Sequence, residues 1–291
     1  MAKLSTNDIY KKVTDNLIEA MERGDIPWRK TWSGVGNDCM PTNLRGTKYR
    51  GINILTLSWA GFSSPTWATY KQISEAGGTV KKGSKSTPVV FWKIIKGKDK
   101  ATGEATAFPL LRYYNVFNLD QTEGIEDPNV QPEGEPRAFN PIDAAQKIVE
   151  GYSGCPEIES GKAGAWYRPS ADLIGMPCPE SFENGEEYYS TLFHEMGHST
   201  GHRKRLNREG VTNPISFGSH TYAAEELVAE FCAAYLCGEA GVSTQPTIEN
   251  SGAYLRGWLK RVKDEPGILV KAAAAGQKAA DHILGRKWDN S

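Results

Sequence analysis

The chain has 291 residues, of which 39% are hydrophobic and 24% are charged. This composition is typical of a globular protein with one large or two ordinary domains, and it argues against a disordered chain. No apolar run approaches the roughly 18 residues that a membrane span requires, and the polar N-terminus lacks the apolar segment of a secretion signal. We therefore expect a cytoplasmic protein that does not contact a membrane and keeps its five cysteines reduced.

The net charge of −1 conceals a division between the two parts of the chain. Residues 1–119 contain 18 Lys and Arg against 9 Asp and Glu, whereas the remainder contains 16 against 26. Five of the eight tryptophans also lie in the first part. A basic unit rich in aromatic residues is the usual form of a nucleic-acid-binding domain, so the asymmetry indicates two units with separate tasks.

The boundary between the units is predicted from an acidic, proline-rich stretch without apolar periodicity. Leu119–Pro141 contains four prolines and reads as a linker. We therefore predict an α+β fold in two domains, with a nucleic-acid-binding domain at 1–119, a linker at 120–139 and a second domain at 140–291.

In the first domain, apolar residues at helical spacing from Ile9 to Met21 predict a helix that Thr6 or Asn7 caps and Gly24 closes. Residues 49–61 are largely apolar and could form a buried strand or a helix. Residues 64–78 predict a short helix. Residues 86–97 and 105–119 predict paired strands joined by a turn rich in Lys and Gly.

The second domain is predicted to be mainly helical. Asn140 and Pro141 form a helix start, and residues 164–182 indicate short strands interrupted by prolines. Helices are predicted at about 186–200, 222–238 and 247–263, with another after Pro266. A small sheet followed by two such helices is the layout of a zincin.

The segment Thr191–His202 contains the motif H-E-x-x-H. His194 and His198 are four residues apart, so on a helix both project from one face and can bind the same ion. Glu195 lies beside them, where it can take a proton from water whose pKa the metal lowers toward about 7. The pattern predicts one Zn²⁺ per chain, because two histidines and a carboxylate favour zinc.

A third ligand is expected from the acidic segment Tyr222–Phe231, which is predicted to be helical. Glu226 and Glu230 share a helix face, so Glu226 can bind the metal while Glu230 orients a ligand histidine. Glu225 is the alternative third ligand, because it also lies near the helix start. The preferred set is therefore His194, His198 and Glu226, with Glu195 as the catalytic base.

Other interpretations of these residues stay open. His202 follows His194 by eight residues, about 12 Å along a continuous helix, so we predict a capping or packing role for it. Tyr222 or Tyr188 could stabilise an oxyanion, although packing of the ring is the commoner role. The motif could also belong to an ordinary buried helix whose histidines bond to carboxylates in the core. Alternatively, the site could bind a metal without cutting a peptide.

Proteins bind single-stranded nucleic acid with cationic side chains that lie along the phosphates and with aromatic rings that stack on the bases. The first domain combines these residue types in three segments, and it contains no duplex-reading motif such as a zinc finger. Trp59 and Trp92 lie in apolar runs and are assigned to the core. The predicted DNA contacts are Trp28, Arg29, Trp32, Arg45, Lys48, Tyr49, Arg50, Lys81, Lys82 and Lys85.

The segments VTDNLIEAMERGDIPWRKTW, PTNLRGTKYRGIN and TWATYKQISEAGGTVKKGSKSTPVVFWK resemble the N-terminal domain of ArdC-type antirestriction proteins, which also occurs in primases of conjugative plasmids. YYSTLFHEMGHSTGH and YAAEELVAEF resemble the zincin-like metallopeptidase domain joined to it. The resemblance covers nearly the whole chain apart from the linker. It implies a plasmid-encoded protein that binds single-stranded DNA and protects incoming DNA from restriction during conjugation. The resemblance also implies that His194, His198 and a downstream Glu bind the metal and that Glu195 is the general base.

Three functions are compatible with these features. The protein could be a zinc metallopeptidase, localised by DNA, that cuts a host restriction-system protein. It could instead be a non-catalytic protein that coats single-stranded DNA and uses its zinc domain as a scaffold or a partner contact. A primase accessory is less favoured, because the sequence contains no polymerase or nucleotide-binding motif.

Overall fold

A computed structural model of the chain describes residues 5–29, 40–98, 105–129, 141–212, 220–242, 251–265 and 267–287. The fold mixes helices and strands in two units, as predicted. No helix in these ranges is both long enough and apolar enough to cross a membrane.

The N-terminal unit packs short helices against a small mixed sheet. Its strand order is β1-β2-β5-β4, and β3 and β6 form a separate antiparallel pair. The run at 49–61, for which both strand and helix were possible, contains helix α2 (Ile52–Trp59). The bounds are α1 (Thr6–Glu22), β1 (Thr42–Asn43), α2 (Ile52–Trp59), β2 (Thr66–Ala68), α3 (Tyr70–Glu75), β3 (Thr79–Val80), β4 (Thr87–Lys98), β5 (Ala105–Asn118) and β6 (Thr122–Glu123).

Two helix starts differ from the predictions because of their caps. Helix α1 is capped by Ser5 rather than Thr6 or Asn7, since Asp8 lies three residues later and completes a capping box with Ser5. The predicted helix at 64–78 begins only at Tyr70, because Thr69 and Gln72 form the same reciprocal pair. The residues ahead of Thr69 form strand β2 instead.

The predicted strand pair is confirmed as the long antiparallel hairpin β4–β5. Strand β4 lies at the sheet edge, where unpaired backbone groups invite pairing with other chains. Part of this edge is covered by Asn53 of α2, whose amide nitrogen donates to the Val90 carbonyl (2.7 Å) and whose oxygen accepts from the Val90 N–H (2.8 Å). This reciprocal pair fastens α2 to the hairpin.

The N-terminal unit extends beyond the predicted boundary at residue 119. Asp127 accepts hydrogen bonds from Ser64 and from the Thr66 hydroxyl, and the Asn129 amide donates to the Asn43 carbonyl at 3.1 Å. The prediction of a linker is therefore wrong for residues 120–129, because their acidic and amide side chains bond to the sheet. Residues 130–139 lie outside the described part of the chain.

The C-terminal unit places helices around a three-stranded sheet with the order β7-β9-β8. Strand β8 is antiparallel to β9, and β7 is parallel to it. The bounds are α4 (Pro141–Gly151), β7 (Glu157–Glu159), β8 (Trp166–Arg168), β9 (Leu173–Gly175), α5 (Gly185–Ser199), α6 (Glu209–Thr212), α7 (His220–Ala240), α8 (Ser251–Asp264) and α9 (Ile268–Ile283). The predicted helices of this unit thus form close to their expected positions.

The two units share one hydrophobic core. Val13 and Leu17 of α1 belong to the same buried cluster as Phe231 of α7, Trp258 of α8 and Leu269 of α9. Helix α7 lies at its centre and contacts α5 on one side and α9 on another. The N-terminal unit therefore packs directly against the helix that carries the acidic segment.

Polar contacts also join the units, through the loop that precedes α2. Arg50 forms an ion pair with Asp281 of α9, and the Gly51 N–H donates to the Gln277 side chain at 3.1 Å. Lys48 lies 3.8 Å from Glu239 of α7. Because Asp281 is 4% exposed, the Arg50 charge compensates a buried carboxylate.

Candidate metal centre

Helix α5 presents the two histidines of the H-E-x-x-H motif as its periodicity predicts. Asn184 caps this helix by accepting a hydrogen bond from the Glu187 N–H. His194 and His198 lie one turn apart with their Nε2 atoms separated by 3.1 Å. Both side chains are about 15% exposed, so they are largely, but not completely, shielded from solvent.

Helix α7 completes the group with one of the two glutamates that sequence reasoning left open. Glu226 Oε2 lies 3.4 Å from His194 Nε2, and Glu226 Oε1 lies 3.5 Å from His198 Nε2. One donor atom from each of the three residues lies within 4.8 Å of the others. Two imidazole nitrogens and one carboxylate oxygen form the donor set that metal ions such as zinc use in proteins.

Glu225 lies on the side of the His198 ring that faces away from Glu226. Its Oε1 is 3.5 Å from His198 Nδ1, and the Arg208 guanidinium donates to both of its oxygens, at 3.0 and 2.6 Å. Arg208 also donates to the Gly197 carbonyl at 2.8 Å. The two hydrogen bonds from Arg208 hold Glu225 where it can orient the His198 imidazole. A metal-binding histidine usually has such a carboxylate at its other ring nitrogen.

Glu230 has the equivalent position behind the other histidine. Its Oε1 lies 3.9 Å from His194 Nδ1, and its Oε2 accepts a hydrogen bond from the indole nitrogen of Trp28 at 3.2 Å. Each histidine thus faces Glu226 with Nε2 and a different carboxylate with Nδ1. Sequence reasoning missed Arg208 because no helical spacing links it to Glu225.

Charge pairing controls the protonation of this cluster. Burial lowers the pKa of His194, but the hydrogen bond to Glu226 and the charges of Glu195, Glu226 and Glu230 together outweigh it and raise that pKa to about 9. Burial likewise raises the pKa of Glu226, and the two histidines reverse the effect and lower it to about 2. The Glu226 carboxylate thus favours proton binding at His194, and a metal ion competes with that proton for the imidazole nitrogen.

Glu195 differs from the other carboxylates of the cluster. It is 8% exposed, and burial raises its pKa although the neighbouring histidines and the Tyr167 backbone N–H act in the opposite direction. Tyr167 belongs to β8, the edge strand that packs on α5. A carboxyl group with a raised pKa accepts and returns protons near neutral pH more readily than an ordinary one.

His202 and the two tyrosines have packing or bonding roles. Helix α5 ends at Ser199, and His202 is buried with its Nδ1 3.7 Å from Asp172. Asp172 also pairs with Arg205. Tyr188 packs its ring edge-on against Phe182 and Tyr189, whereas Tyr222 hydrogen-bonds Glu226.

The predicted DNA contacts are dispersed. Trp28 is 3% exposed and packs edge-on against Phe231 and Trp258, so its predicted role in stacking on bases is wrong: the interface between the units covers its ring. Arg50 and Lys48 have carboxylate neighbours in the C-terminal unit. Tyr49 is half-buried, and Arg45, Lys81, Lys82 and Lys85 are exposed. Trp32 and the side chain of Arg29 lie outside the described residues.

The assignment of Trp92 to the core is also wrong. Trp92 is 50% exposed on β4, next to Phe91, which is 37% exposed. Phe91 contacts Tyr114 of β5 at a ring distance of 5.3 Å. The apolar run predicted the strand correctly, but the core that buries Val89 and Val90 does not cover Phe91 and Trp92. Trp59 is half-buried against the main core.

Two family models match the chain in the order of the two units. Residues 7–117 match the N-terminal domain of the anti-restriction factor ArdC, and residues 144–275 match a zincin-like metallopeptidase domain. The crystal structure of metal-free antirestriction protein ArdC from the R388 plasmid superposes with a TM-score of 0.75 at 34% identity, covering 97% of this chain and 100% of that one. The chain belongs to the ArdC family.

Other relatives extend this assignment. The Mn(II)-bound structure of the same plasmid protein matches with a TM-score of 0.75 at 36% identity, covering 95% of this chain and 97% of that one. DNA primase TraC of Escherichia coli is 36% identical over 94% of this chain, which spans 20% of the primase. The protein y4eC of Sinorhizobium fredii is 32% identical, with 97% of this chain and 93% of the relative covered.

The family assignment and the geometry agree on a divalent metal. This chain matches a zincin-like metallopeptidase domain, and a relative has been crystallised with Mn(II). In this chain the ligand atoms of His194, His198 and Glu226 lie within 4.8 Å of one another. Within the described ranges, Cys155, Cys178, Cys232 and Cys237 are free thiols. None of these cysteines belongs to the converging group.

Proposed function

We propose that this ArdC-family chain is a plasmid-encoded antirestriction protein that acts in the cytoplasm during conjugation. Its N-terminal unit binds single-stranded DNA, and its C-terminal unit hydrolyses peptide bonds at a zinc centre. The observation that carries the peptidase part is the convergence of His194, His198 and Glu226 beside the buried carboxyl group of Glu195. A host restriction-system protein is the proposed substrate.

His194 and His198 would bind the ion through Nε2, because their Nδ1 atoms face Glu230 and Glu225. Glu226 would supply the third donor. Three protein ligands leave a fourth position open for water or substrate, as catalytic zinc sites require. Zinc bound there would supply Lewis acidity and lower the pKa of water.

Glu195 is the proposed general base. It follows His194 directly on α5, and it would take a proton from water and pass it to the leaving amine. Its raised pKa supports this role, because a base with a pKa nearer to 7 can both accept and return the proton. The Tyr167 backbone N–H, which bonds to the same carboxyl group, would keep it aimed at the open side of the site.

The decisive experiment is plasmid survival after conjugation into a restricting recipient, with Glu195→Gln compared with wild type at equal protein levels. Glu186→Gln, on the first turn of the same helix, is the matched control. We expect Glu195→Gln to lose protection while it still binds DNA and metal. Intact protection in Glu195→Gln would refute a catalytic role for the site. Purified restriction subunits incubated with wild type and Glu195→Gln would reveal the cleavage.

A non-catalytic role is the second candidate. His194 and His198 belong to α5 and Glu226 to α7, so a bound ion would fasten these helices together, as structural zinc sites do. The zinc unit would then be a scaffold of a protein that coats DNA. In this case Glu195→Gln protects plasmids normally, whereas removal of His198 lowers both stability and protection.

Single-stranded DNA binding is supported by the exposed aromatic residues of the β4–β5 hairpin. Phe91 and Tyr114 form a ring pair on one face, and Trp92, the next residue along β4, belongs to the other face. Arg112 pairs with Phe91 across the ladder and is exposed. Aromatic faces beside cations are the features that hold unpaired bases and phosphates.

The DNA surface can be tested by fluorescence anisotropy with a labelled oligothymidine strand. Alanine at Phe91 and Tyr114, or at Trp92, should cost about 1–3 kcal/mol for each base that no longer stacks. Tyr70→Ala, an exposed aromatic residue outside the hairpin, is the control. Unchanged affinity in both hairpin variants would exclude the hairpin as the DNA surface.

A further inference from the structure

Trp28 lies in the N-terminal unit but contacts the metal-site helix of the C-terminal unit. It belongs to the 3₁₀ turn Pro27–Arg29, and its ring is enclosed by Phe231 at 4.9 Å and Trp258 at 5.5 Å. Only 3% of the residue is exposed. Its Nε1 donates to Glu230 Oε2 at 3.2 Å, a hydrogen bond that links residues 202 positions apart in sequence.

Glu230 connects this hydrogen bond to the histidine. The residue is 6% exposed, and the oxygen that does not bond Trp28, Oε1, lies 3.9 Å from His194 Nδ1. His194 Nε2 faces Glu226 in turn. A buried carboxylate needs donors to offset its desolvation, and the indole N–H is one that packing holds in place.

The chemistry of metal-bound histidine gives this chain of contacts a function. An imidazole that binds an ion through Nε2 donates the N–H of Nδ1 to a carboxylate or carbonyl, which fixes its tautomer and its orientation. For His198 the carboxylate is Glu225, fastened by two hydrogen bonds from Arg208 of the same unit. For His194 it is Glu230, which accepts a hydrogen bond from Trp28 of the other unit.

We propose that Trp28 is a positioning residue for the metal centre. By holding Glu230 Oε2, it directs Oε1 toward His194 Nδ1 and keeps Nε2 aimed at the ion. The N-terminal unit thereby contributes to metal affinity, although none of its residues binds the metal. This inference rests on the proposed metal site.

A purely structural role for Trp28 makes a different prediction. Its ring fastens the two units together, and any loss of ring packing would lower stability and, with it, metal binding. Trp28→Phe separates these roles, because phenylalanine keeps an aromatic ring in the pocket and removes the N–H. Trp67→Phe is the matched control, since Trp67 is 2% exposed in a separate cluster of the N-terminal unit.

The experiment measures Mn²⁺ affinity of the metal-free full chain by titration calorimetry, with urea unfolding of each variant alongside. We expect Trp28→Phe to weaken Mn²⁺ binding about tenfold, the lower end of what loss of an outer-shell partner causes, and Trp67→Phe to leave it unchanged. The effect should disappear in a Glu230→Ala background, because no side-chain acceptor then connects the indole to His194. This double-mutant cycle is the readout that a packing role would not alter.

Three outcomes would overturn the proposal. They are unchanged Mn²⁺ affinity in Trp28→Phe, equal weakening by Trp67→Phe at equal loss of stability, and a Trp28→Phe effect that persists in the Glu230→Ala protein. The failure of the proposed metal site would look different, since the wild-type chain would then bind no Mn²⁺ at all.

Discussion

The metal centre and the β4–β5 hairpin use their side chains in opposite ways. Around His194 and His198 the carboxylates are buried and bonded, and each imidazole nitrogen faces a particular oxygen. On the hairpin, Phe91, Trp92 and Tyr114 expose ring surface to solvent. A buried site depends on single atoms at fixed distances, whereas an exposed surface binds by the sum of contacts that can adjust. Substitutions should therefore act sharply at the first and gradually at the second.

The largest effect is expected at the third metal ligand. Glu226→Ala removes a donor atom and should weaken Mn²⁺ binding by more than about a hundredfold, whereas Glu225→Gln, which only disturbs the orientation of His198, should weaken it by about tenfold. Calorimetric titration of both variants measures the ratio. Equal losses would mean that the two glutamates exchange roles and that the site is less rigid than its contacts indicate.

The close approach of α5 to α7 gives the next prediction. A Cβ added at Gly197 would lie 3.2 Å from Ala229 Cα and from Cys232 Cβ, so Gly197→Ala should lower the free energy of unfolding by about 1–3 kcal/mol. Gly257 of α8 has no such neighbour, and alanine there should stabilise the protein by a few tenths to about 1 kcal/mol. Urea unfolding compares the two. A neutral Gly197→Ala would show that the helices can separate without cost.

Arg50 tests whether a basic residue serves the fold or the DNA. Arg50→Ala leaves the buried Asp281 without its ion pair and should cost about 1–2 kcal/mol of unfolding free energy, with little change in DNA affinity. Exposed Arg45 is the counterpart: its replacement by alanine should weaken DNA binding, more so at low salt, and leave stability unaltered. If Arg50→Ala reduced DNA affinity as much as Arg45→Ala, the loop would belong to the binding surface.

The smallest effect is a pH dependence at the edge of the metal unit. Burial raises the pKa of Asp172, but hydrogen bonds from Arg205 and Tyr167 outweigh it, so the pKa lies below its usual value. The stability from this carboxylate is therefore complete above its unfolded pKa of about 3.9 and is lost as the pH falls through its lower folded value. Asp172→Asn should remove about 1 kcal/mol at pH 7 and less at pH 3. A loss that is the same at both pH values would contradict the ion pair.

Sequence reasoning succeeded where one helix sets the geometry. His194, Glu195 and His198 are related by the helical period alone. Glu226 was preferred to Glu225 as the third ligand, but the sequence could not decide between them, because the choice depends on how α7 is rotated against α5. The burial of Trp28 and the exposure of Trp92 were both predicted wrongly, for a similar reason. Trp28 is buried by Phe231 and Trp258 of the other unit. Trp92 is exposed although it lies in an apolar run, because the core does not extend to it. Neither is encoded in the neighbouring residues.

The central position of α7 has a consequence for how such proteins can be recombined. Oε1 of Glu230 faces the proposed metal ligand His194, and Oε2 accepts a hydrogen bond from Trp28. Removing the N-terminal unit would therefore expose the core of the zincin-like part and take a hydrogen-bond donor from a buried carboxylate. The smallest part that can move between genes is then both units together. In agreement with this expectation, the primase relatives, although several times longer, match this chain over 94% of its length.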